Sequence, residues 1–155
     1  AGLLGGLTVH RVLVADSASA GDGGAAATSV QRENGQLPDD ALVSIGDGFR
    51  LTPAAAEAFG RLEEAALSAG FTLQVSSAYR RLDEQVAMVE EHGLLSEGGL
   101  AAEPGTSEHG WGIAVDLTLD TDALIWFRTN AGRFGFVETI ADEPWHWAYL
   151  EDGAP

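Results

Sequence analysis

Two short segments of this chain contain side chains of the types that bind and use a metal ion. They are residues 107–116, which read SEHGWGIAVD, and residues 143–146, which read EPWH. Two histidines, an aspartate and a nearby glutamate are the usual parts of a catalytic zinc site, because three protein ligands leave the fourth tetrahedral position for water. Glu143 lies three residues before His146, so the second segment carries both a candidate ligand and a candidate base. Neither HExxH nor HxxEH occurs, which excludes the common helical zinc-peptidase layouts.

The spacing of these residues resembles a known family. Ser-x-His-x-x-Gly-x-Ala-x-Asp followed by Glu-x-x-His is similar to the pattern of the VanY-type D-alanyl-D-alanine carboxypeptidases, whose wider group includes phage L-alanyl-D-glutamate endolysins and VanX-type dipeptidases. An upstream block, residues 76–85 with the sequence SSAYRRLDEQ, resembles the family's Ser-Gly-Tyr-Arg-Ser-x-x-x-Gln block. Ala78 replaces its glycine and Arg81 replaces its second serine. The resemblance covers roughly residues 36 to 150.

The resemblance implies a role for each matching residue. The zinc ligands would be His109, Asp116 and His146. Glu143 would be the catalytic base, and Arg80 would bind and polarise the scissile carbonyl group.

The same resemblance implies that Ser107 and Gln85 help to hold the substrate. We also expect Tyr79 and Trp145 to bind the substrate, Trp145 because its nearness to the ligands would let it form a wall of the cleft. The resemblance also implies the substrate, a peptidoglycan stem peptide ending in D-alanyl-D-alanine, and a place of action outside the cell or in the cell wall, reached by export or by phage delivery. Two alternatives stay open. One is a phage-type L-alanyl-D-glutamate endopeptidase, and the other is a non-catalytic binding module of the same fold.

Composition agrees with one small enzyme domain. The chain has 155 residues, of which 45% are hydrophobic and 21% are charged, as is ordinary for globular proteins. The net charge of −16 argues against nucleic acid or an anionic membrane as the main partner. The absence of cysteine excludes thiolate metal sites and disulfides. No apolar run reaches the roughly 18 residues that span a bilayer. We also expect the protein to be a monomer.

The chain divides at a flexible segment. Residues 8–15 have the pattern of a strand, and residues 17–29 are rich in serine, glycine, alanine and aspartate, as in a linker. We therefore expect an N-terminal strand and linker in residues 1–35 and the zinc peptidase domain in residues 36–155. The apolar start of the chain has no preceding basic region, so we do not interpret it as a signal peptide.

The domain mixes strands and helices. Residues 42–51 predict a hairpin around Gly46-Asp47-Gly48, and Thr52-Pro53 predicts the start of a helix that ends at Gly70. The remaining predicted elements are strands at 71–76, 112–119, 134–137 and 145–150, helices at 82–92 and from 120 or 121 to about 133, and a glycine-rich loop at 93–108. Alternation along residues 112–119 puts Asp116 on the same face as Ala114, whose small side chain leaves room for a metal. The pattern predicts an α+β fold with a small antiparallel sheet and flanking helices, and the resemblance implies a hedgehog/DD-peptidase-like fold.

Overall fold

The structure, a computed structural model, describes residues 33–151 of the chain. These residues contain six strands and three α-helices. In chain order they are β1 (Val43–Gly46), β2 (Phe49–Leu51), α1 (Pro53–Ser68), β3 (Gln74–Ser77), α2 (Leu82–His92), β4 (Ala114–Thr118), α3 (Thr121–Asn130), β5 (Phe136–Val137) and β6 (His146–Tyr149). Short 3₁₀ turns span Asp39–Ala41, Leu95–Glu97, Glu108–Trp111 and Ala131–Phe134.

The strands form two antiparallel sheets. β1 and β2 form the predicted hairpin, whose turn has positive φ at Gly46, Asp47 and Gly48. The other four strands pair in the order β3-β4-β6-β5, so β4 and β6 occupy the centre of their sheet. This arrangement confirms the predicted α+β fold with a small antiparallel sheet and flanking helices.

Helix α1 covers the sheet with an apolar face. Ala55, Phe59, Leu62 and Ala66 recur at helical spacing, and each is at most 1% exposed. They belong to one core cluster with sheet and α3 residues that include Val115, Leu117, Phe127, Phe136 and Trp147. Burial of each large apolar side chain contributes about 1.5–3 kcal/mol. The core therefore supports β4 and β6, the two strands that carry part of the candidate site.

Several element boundaries differ from the sequence prediction. β4 begins at Ala114 rather than at 112, because Gly112, with φ of +67°, ends a 3₁₀ turn at that point. β3 occupies 74–77 rather than 71–76, since pairing with β4 starts at Gln74 opposite Thr118. α3 ends at Asn130, and the 3₁₀ turn that follows shortens the predicted strand 134–137 to β5.

The predicted strand at 8–15 and the linker at 17–29 lie outside the described residues, so the domain boundary at residue 36 stays a prediction. Within residues 33–151, none of the helices combines the length and the apolar character that crossing a bilayer demands.

Candidate metal centre and cleft

The register of the central strands brings the predicted ligands together. Asp116 on β4 lies directly opposite His146 on β6, and Ser77 on β3 pairs with Asp116 from the other side. His109 arrives from the 3₁₀ turn that immediately precedes β4. Two residues distant in sequence thus meet because their strands pair, and the third meets them because its turn leads into the same strand.

The three side chains fit a zinc ion. His109 Nε2 is 3.2 Å from Asp116 Oδ1, and His146 Nδ1 is 3.0 Å from the same oxygen. One candidate ligand atom from each residue lies within 4.8 Å of the others. Ligand atoms at about 2.0 Å from a tetrahedral zinc lie about 3.3 Å apart, so the two separations from Asp116 Oδ1 suit that ion. Two imidazoles with one carboxylate also match the donor set that zinc prefers.

Buried hydrogen bonds fix the orientation of His109. Its side chain is 4% exposed, and Nδ1 is 2.7 Å from the carbonyl oxygen of Ala78. Because a carbonyl only accepts, Nδ1 carries a proton, and Nε2 is the ring nitrogen that faces Asp116 and remains for a metal ion. Ala78 replaces the glycine of the family pattern and is buried, and its carbonyl makes this contact.

The charges of Asp116 and His146 are strongly coupled. Burial alone would raise the pKa of Asp116, but hydrogen bonds from His109 and His146 outweigh it and hold that pKa well below its ordinary value. Burial alone would lower the pKa of His146, yet its contacts with Asp116 and Glu108 raise that pKa to about 9. In the absence of metal, His146 is therefore protonated at neutral pH and supplies the positive charge that Asp116 needs.

Arg80 is held at one side of this centre. Its guanidinium donates to Gln85 Oε1 and to Ser77 Oγ, both at 2.9 Å, and lies 3.8 Å from Asp116 Oδ2. Gln85 is 3% exposed and donates in turn to the carbonyl oxygen of Ala102 at 2.7 Å. Gln85 therefore lies behind Arg80 and supports it, and it is absent from the residues that line the cleft.

Glu143 lies in the turn that leads into β6. The backbone N–H of His146 donates to the carbonyl oxygen of Glu143 at 2.9 Å, which ties the turn to the strand. Burial raises the pKa of the Glu143 carboxyl, while the charge of His146 acts in the opposite direction. A carboxyl group with a raised pKa accepts a proton more readily, as a general base requires.

These residues surround one cleft of about 290 Å³. Of the predicted site residues, seven line it, namely Arg80, Ser107, His109, Asp116, Glu143, Trp145 and His146. The wall also contains apolar side chains, namely Met88, Leu95, Leu100 and Ile140. A polar floor and an apolar wall together suit a short peptide, whose backbone and side chains need different surroundings.

Tyr79 is placed elsewhere. Its hydroxyl oxygen accepts from the backbone N–H of Leu37 at 3.0 Å, and the guanidinium of Arg50 lies 5.8 Å from its ring centroid. Tyr79 is not among the residues that line the cleft. It ties the chain before β1 to the segment that carries Arg80.

A buried strap fixes the loop that carries Ser107 and His109. Asn34 Nδ2 donates to the carbonyl oxygen of Ser107 at 2.7 Å, and Gly35 N–H donates to the carbonyl oxygen of Gly110 at 2.8 Å. A Cβ atom on Gly110 would lie 2.1 Å from Asn34 Oδ1, so this close approach requires glycine. Gly35 in turn accepts from the N–H of Leu82 at the start of α2. We call residues 34–35 the Asn34–Gly35 strap.

The sequence prediction missed three polar residues at the site. Ser77 accepts from Arg80, Glu108 accepts from His146 Nε2 at 2.8 Å, and His92 lines the cleft. Ser77 and Glu108 both lie inside the quoted motifs, and Glu108 stands between Ser107 and His109, which have assigned roles. Their position within the motifs indicated that they lie near the site. Sequence alone did not indicate that Ser77 contacts Arg80 or that Glu108 contacts His146.

Comparison with known proteins places these features in a family context. The sequence model of the VanY family, described as D-alanyl-D-alanine carboxypeptidase, matches residues 48–152. A D-alanyl-D-alanine carboxypeptidase of Enterococcus faecalis is 30% identical over 141 residues, which covers 72% of this chain and 53% of the relative. The putative carboxypeptidase YodJ of Bacillus subtilis is 29% identical over 122 residues, covering 62% of this chain and 45% of that protein. The chain thus spans about half the length of these curated relatives.

Solved structures show the same fold. A mutant of the vancomycin resistance D,D-pentapeptidase VanY in complex with Zn(II) superposes with a TM-score of 0.60 at 28% identity, covering 70% of this chain and 77% of that one. VanYB in complex with D-alanine-D-alanine gives 0.61 at 27% identity, with 70% and 76% covered. The LD-carboxypeptidase LdcB gives 0.61 at 26% identity, with 75% and 71% covered.

Proposed function

The chain belongs to the VanY family of D-alanyl-D-alanine carboxypeptidases, and on that premise we propose that it is a zinc-dependent carboxypeptidase that removes the terminal D-alanine from peptidoglycan stem peptides. One observation carries the proposal. His109, Asp116 and His146 converge in one cleft with Arg80 on one side and the carboxyl of Glu143 near the entrance to β6. A non-catalytic module of this fold has no need for the base or the arginine.

Zinc is the metal that these ligands fit. His109 would bind it through Nε2 and His146 through Nδ1, since those atoms face Asp116 Oδ1. When bound, zinc would supply a Lewis acid and lower the pKa of a coordinated water toward about 7. The VanY neighbour described in complex with Zn(II) supports this assignment.

Glu143 would move the protons. Its carboxyl is partly buried at the cleft with a raised pKa, so it would accept a proton from the attacking water more readily than an ordinary carboxylate. The same carboxylic acid would then donate that proton to the departing amine. Positioning through the turn before β6 keeps Glu143 beside the ligand His146 throughout both steps.

Arg80 would stabilise the negative charge that develops on the scissile carbonyl oxygen. Ser77 and Gln85 hold its guanidinium in advance, so little reorganisation is needed during the reaction. Donors fixed in this way lower the barrier, and removing one typically costs about 10²–10³ in rate. Gln85 would thus act through Arg80 as a positioning residue.

The cleft suggests how the substrate would bind. Ser107 and Trp145 both line it and would contact the terminal residues of the stem peptide. Arg81 does not line the cleft. Its side chain is 63% exposed, and its Nε lies 3.4 Å from Asp83 Oδ1. Such a substrate lies outside the bacterial cytoplasmic membrane, so we propose that the protein acts outside the cell or within the wall.

Three synthetic peptides test the proposal. The zinc-loaded protein is incubated with a pentapeptide stem ending in D-alanyl-D-alanine, with its C-terminal amide, and with the tetrapeptide stem, and products are identified by mass spectrometry. We expect the pentapeptide to lose one D-alanine, with cleavage of the amide slower by on the order of 10²-fold or more, because a site built for a charged group rejects a substrate without it. Chelator-treated protein is the control and should release nothing.

Two other product patterns would contradict this function. D-Alanine release from the tetrapeptide alone would make the protein an L,D-carboxypeptidase, the activity named for the neighbour LdcB. Cleavage between L-alanine and D-glutamate at equal rates for acid and amide would make it an endopeptidase.

A further inference from the structure

Glu108 makes a contact that the proposed mechanism does not use. It lies in the 3₁₀ turn immediately before His109. Its Oε2 accepts from His146 Nε2 at 2.8 Å and from Thr139 Oγ1 at 2.6 Å. The side chains of His146 and Glu108 are 3% and 29% exposed, so the pair is largely shielded from solvent and is screened less than a surface pair.

The two ring nitrogens of His146 face different partners. Nδ1 faces Asp116 on the metal side, whereas Nε2 faces Glu108. A neutral imidazole has one N–H and one lone pair, and the nitrogen that donates its proton leaves the other free to bind a metal. A carboxylate at Nε2 therefore selects the tautomer in which Nδ1 holds the lone pair.

The two histidines differ in the partner of the ring nitrogen that faces away from Asp116. The outer nitrogen of His109 donates to a neutral carbonyl group, that of Ala78, while the outer nitrogen of His146 donates to a carboxylate. A carboxylate partner stabilises positive charge on the ring more strongly and so makes the imidazole a stronger ligand. The contact with Glu108 thus distinguishes His146 from His109.

We propose that Glu108 is a positioning residue for the metal centre, which fixes His146 in the Nδ1-ligating tautomer and increases the affinity of the site for zinc, and that Thr139 orients Glu108. The inference rests on the proposed role of His146 as a ligand. The three partners come from separate segments, namely the turn before β4, the segment between β5 and β6, and β6 itself. Their hydrogen bonds therefore also fix the loop that carries Ser107 and His109 against β6.

Zinc affinity measured without substrate tests the proposal. Metal-stripped proteins compete for zinc with a fluorescent chelator at fixed pH and ionic strength. We expect Glu108→Ala to weaken binding about 10- to 100-fold, the usual effect of losing such an outer partner. Glu108→Gln keeps a carbonyl acceptor and should lose less, and Thr139→Val should also show a smaller loss than Glu108→Ala.

Glu103→Gln is the matched control. Glu103 is exposed on the same loop, so this variant removes one negative charge without touching His146. Its zinc affinity should equal that of the wild type. An equal loss in Glu103→Gln and Glu108→Gln would overturn the proposal, because the effect would then come from overall charge.

A second readout reports the tautomer directly. In the ¹⁵N-histidine NMR spectrum of the zinc-loaded wild type, one metal-bound histidine should carry its proton on Nε2, protected from exchange, and this protection should disappear in Glu108→Ala. Wild-type zinc affinity in a folded Glu108→Ala protein would overturn the proposal, as would a wild-type spectrum in which both metal-bound histidines carry their protons on Nδ1. If circular dichroism shows that Glu108→Ala does not fold, Glu108→Gln and Thr139→Val supply the same comparison.

The two proposals fail in different ways. Glu108-dependent zinc binding in a protein that cleaves no stem peptide would refute the carboxypeptidase and leave the role of Glu108 intact. Pentapeptide cleavage together with unchanged zinc affinity in every Glu108 variant would refute the role of Glu108 and leave the carboxypeptidase proposal intact.

Discussion

Asp116 connects the charged side chains of the candidate site. Its Oδ1 lies within 3.2 Å of a nitrogen on each of the two histidines, and its Oδ2 is 3.8 Å from Arg80. A shielded carboxylate is costly without positive partners. In the metal-free protein the protonated His146 meets this need, and a bound zinc ion would replace the proton.

The ligand assignment predicts the metal content of single variants. Purified wild type should contain about one zinc per chain, and His109→Ala, Asp116→Ala and His146→Ala should each lose most of it, because three protein ligands are needed to hold the ion. Elemental analysis after gel filtration measures the content. His92→Ala is the control, since His92 lines the cleft without joining the ligand cluster. Full zinc content in the double histidine variant would refute the assignment.

The role of Glu143 predicts a variant that binds metal but does not turn over. Glu143→Gln keeps the shape of the side chain and cannot accept a proton, so turnover should fall by about 10²–10⁴ while zinc content stays constant. D-Alanine release and elemental analysis are measured on the same preparation. Asp142→Asn, at the exposed neighbouring acid, should stay near wild-type activity. Near-normal turnover in Glu143→Gln would mean that the base is another residue.

At the scale of elements, local patterns predicted most of the fold. The β1–β2 hairpin, α1 and α2 were all predicted, because a turn at Gly46-Asp47-Gly48, a proline start and a helical apolar repeat act within a few residues. Strand ends were predicted less well. β3 and β5 end where their pairing partners and the 3₁₀ turn at 131–134 allow, which local sequence does not specify.

The candidate site shows the same division. The convergence of His109, Asp116 and His146 was predicted, because the motif spacing carries it. The contact between Glu108 and His146 joins residues 38 positions apart, and nothing in either segment alone indicates it. Gln85 was expected at the substrate and lies behind Arg80, which depends on how α2 packs.

The start of α3 predicts a local stability effect. Asp120 accepts from the N–H of Ala123 at 2.8 Å and so caps the helix. Asp120→Ala should lower the free energy of unfolding by about 1 kcal/mol, measured by urea denaturation of the zinc-loaded protein. Turnover should not change, because α3 contributes no residue to the described lining of the cleft. Thr121→Ala is the control, and equal urea midpoints for the two variants would show that the cap contributes nothing.

At the scale of the whole molecule, the net charge of −16 is the basis for expecting no nucleic-acid partner, and that expectation stays a prediction. The cleft brings both signs of charge together, since Arg80 and His146 lie among the carboxylates of Glu108, Asp116 and Glu143. The expected monomer stays a prediction.

Metal binding should invert the pH dependence of stability. In the metal-free protein the pKa of His146 is raised to about 9 from an ordinary value of 6.5, so its contribution to stability is complete below pH 6.5 and is lost as the pH rises through 9. Zinc requires the deprotonated ring, so zinc binding strengthens over the same range. The difference in Tm between zinc-loaded and chelator-treated protein should therefore widen from pH 6 to pH 9.

Thermal unfolding followed by circular dichroism at several pH values measures this difference. His146→Gln is the control and should show neither the pH-dependent loss nor the zinc gain. A Tm difference that stays constant from pH 6 to pH 9 would contradict the coupling between His146 and the metal.

The Asn34–Gly35 strap has a consequence for where the catalytic unit can be cut. The family match begins at residue 48, and sequence composition suggested a start at residue 36. Asn34 and Gly35 nevertheless hold the backbone of the loop that carries Ser107 and His109, and Gly35 also holds the first turn of α2. A fragment trimmed to either boundary would keep every zinc ligand and both proposed catalytic side chains while losing the peptide contacts that keep His109 in place. We therefore expect a fragment that folds and binds zinc to include Asn34 and Gly35, and so to be longer than similarity alone would define.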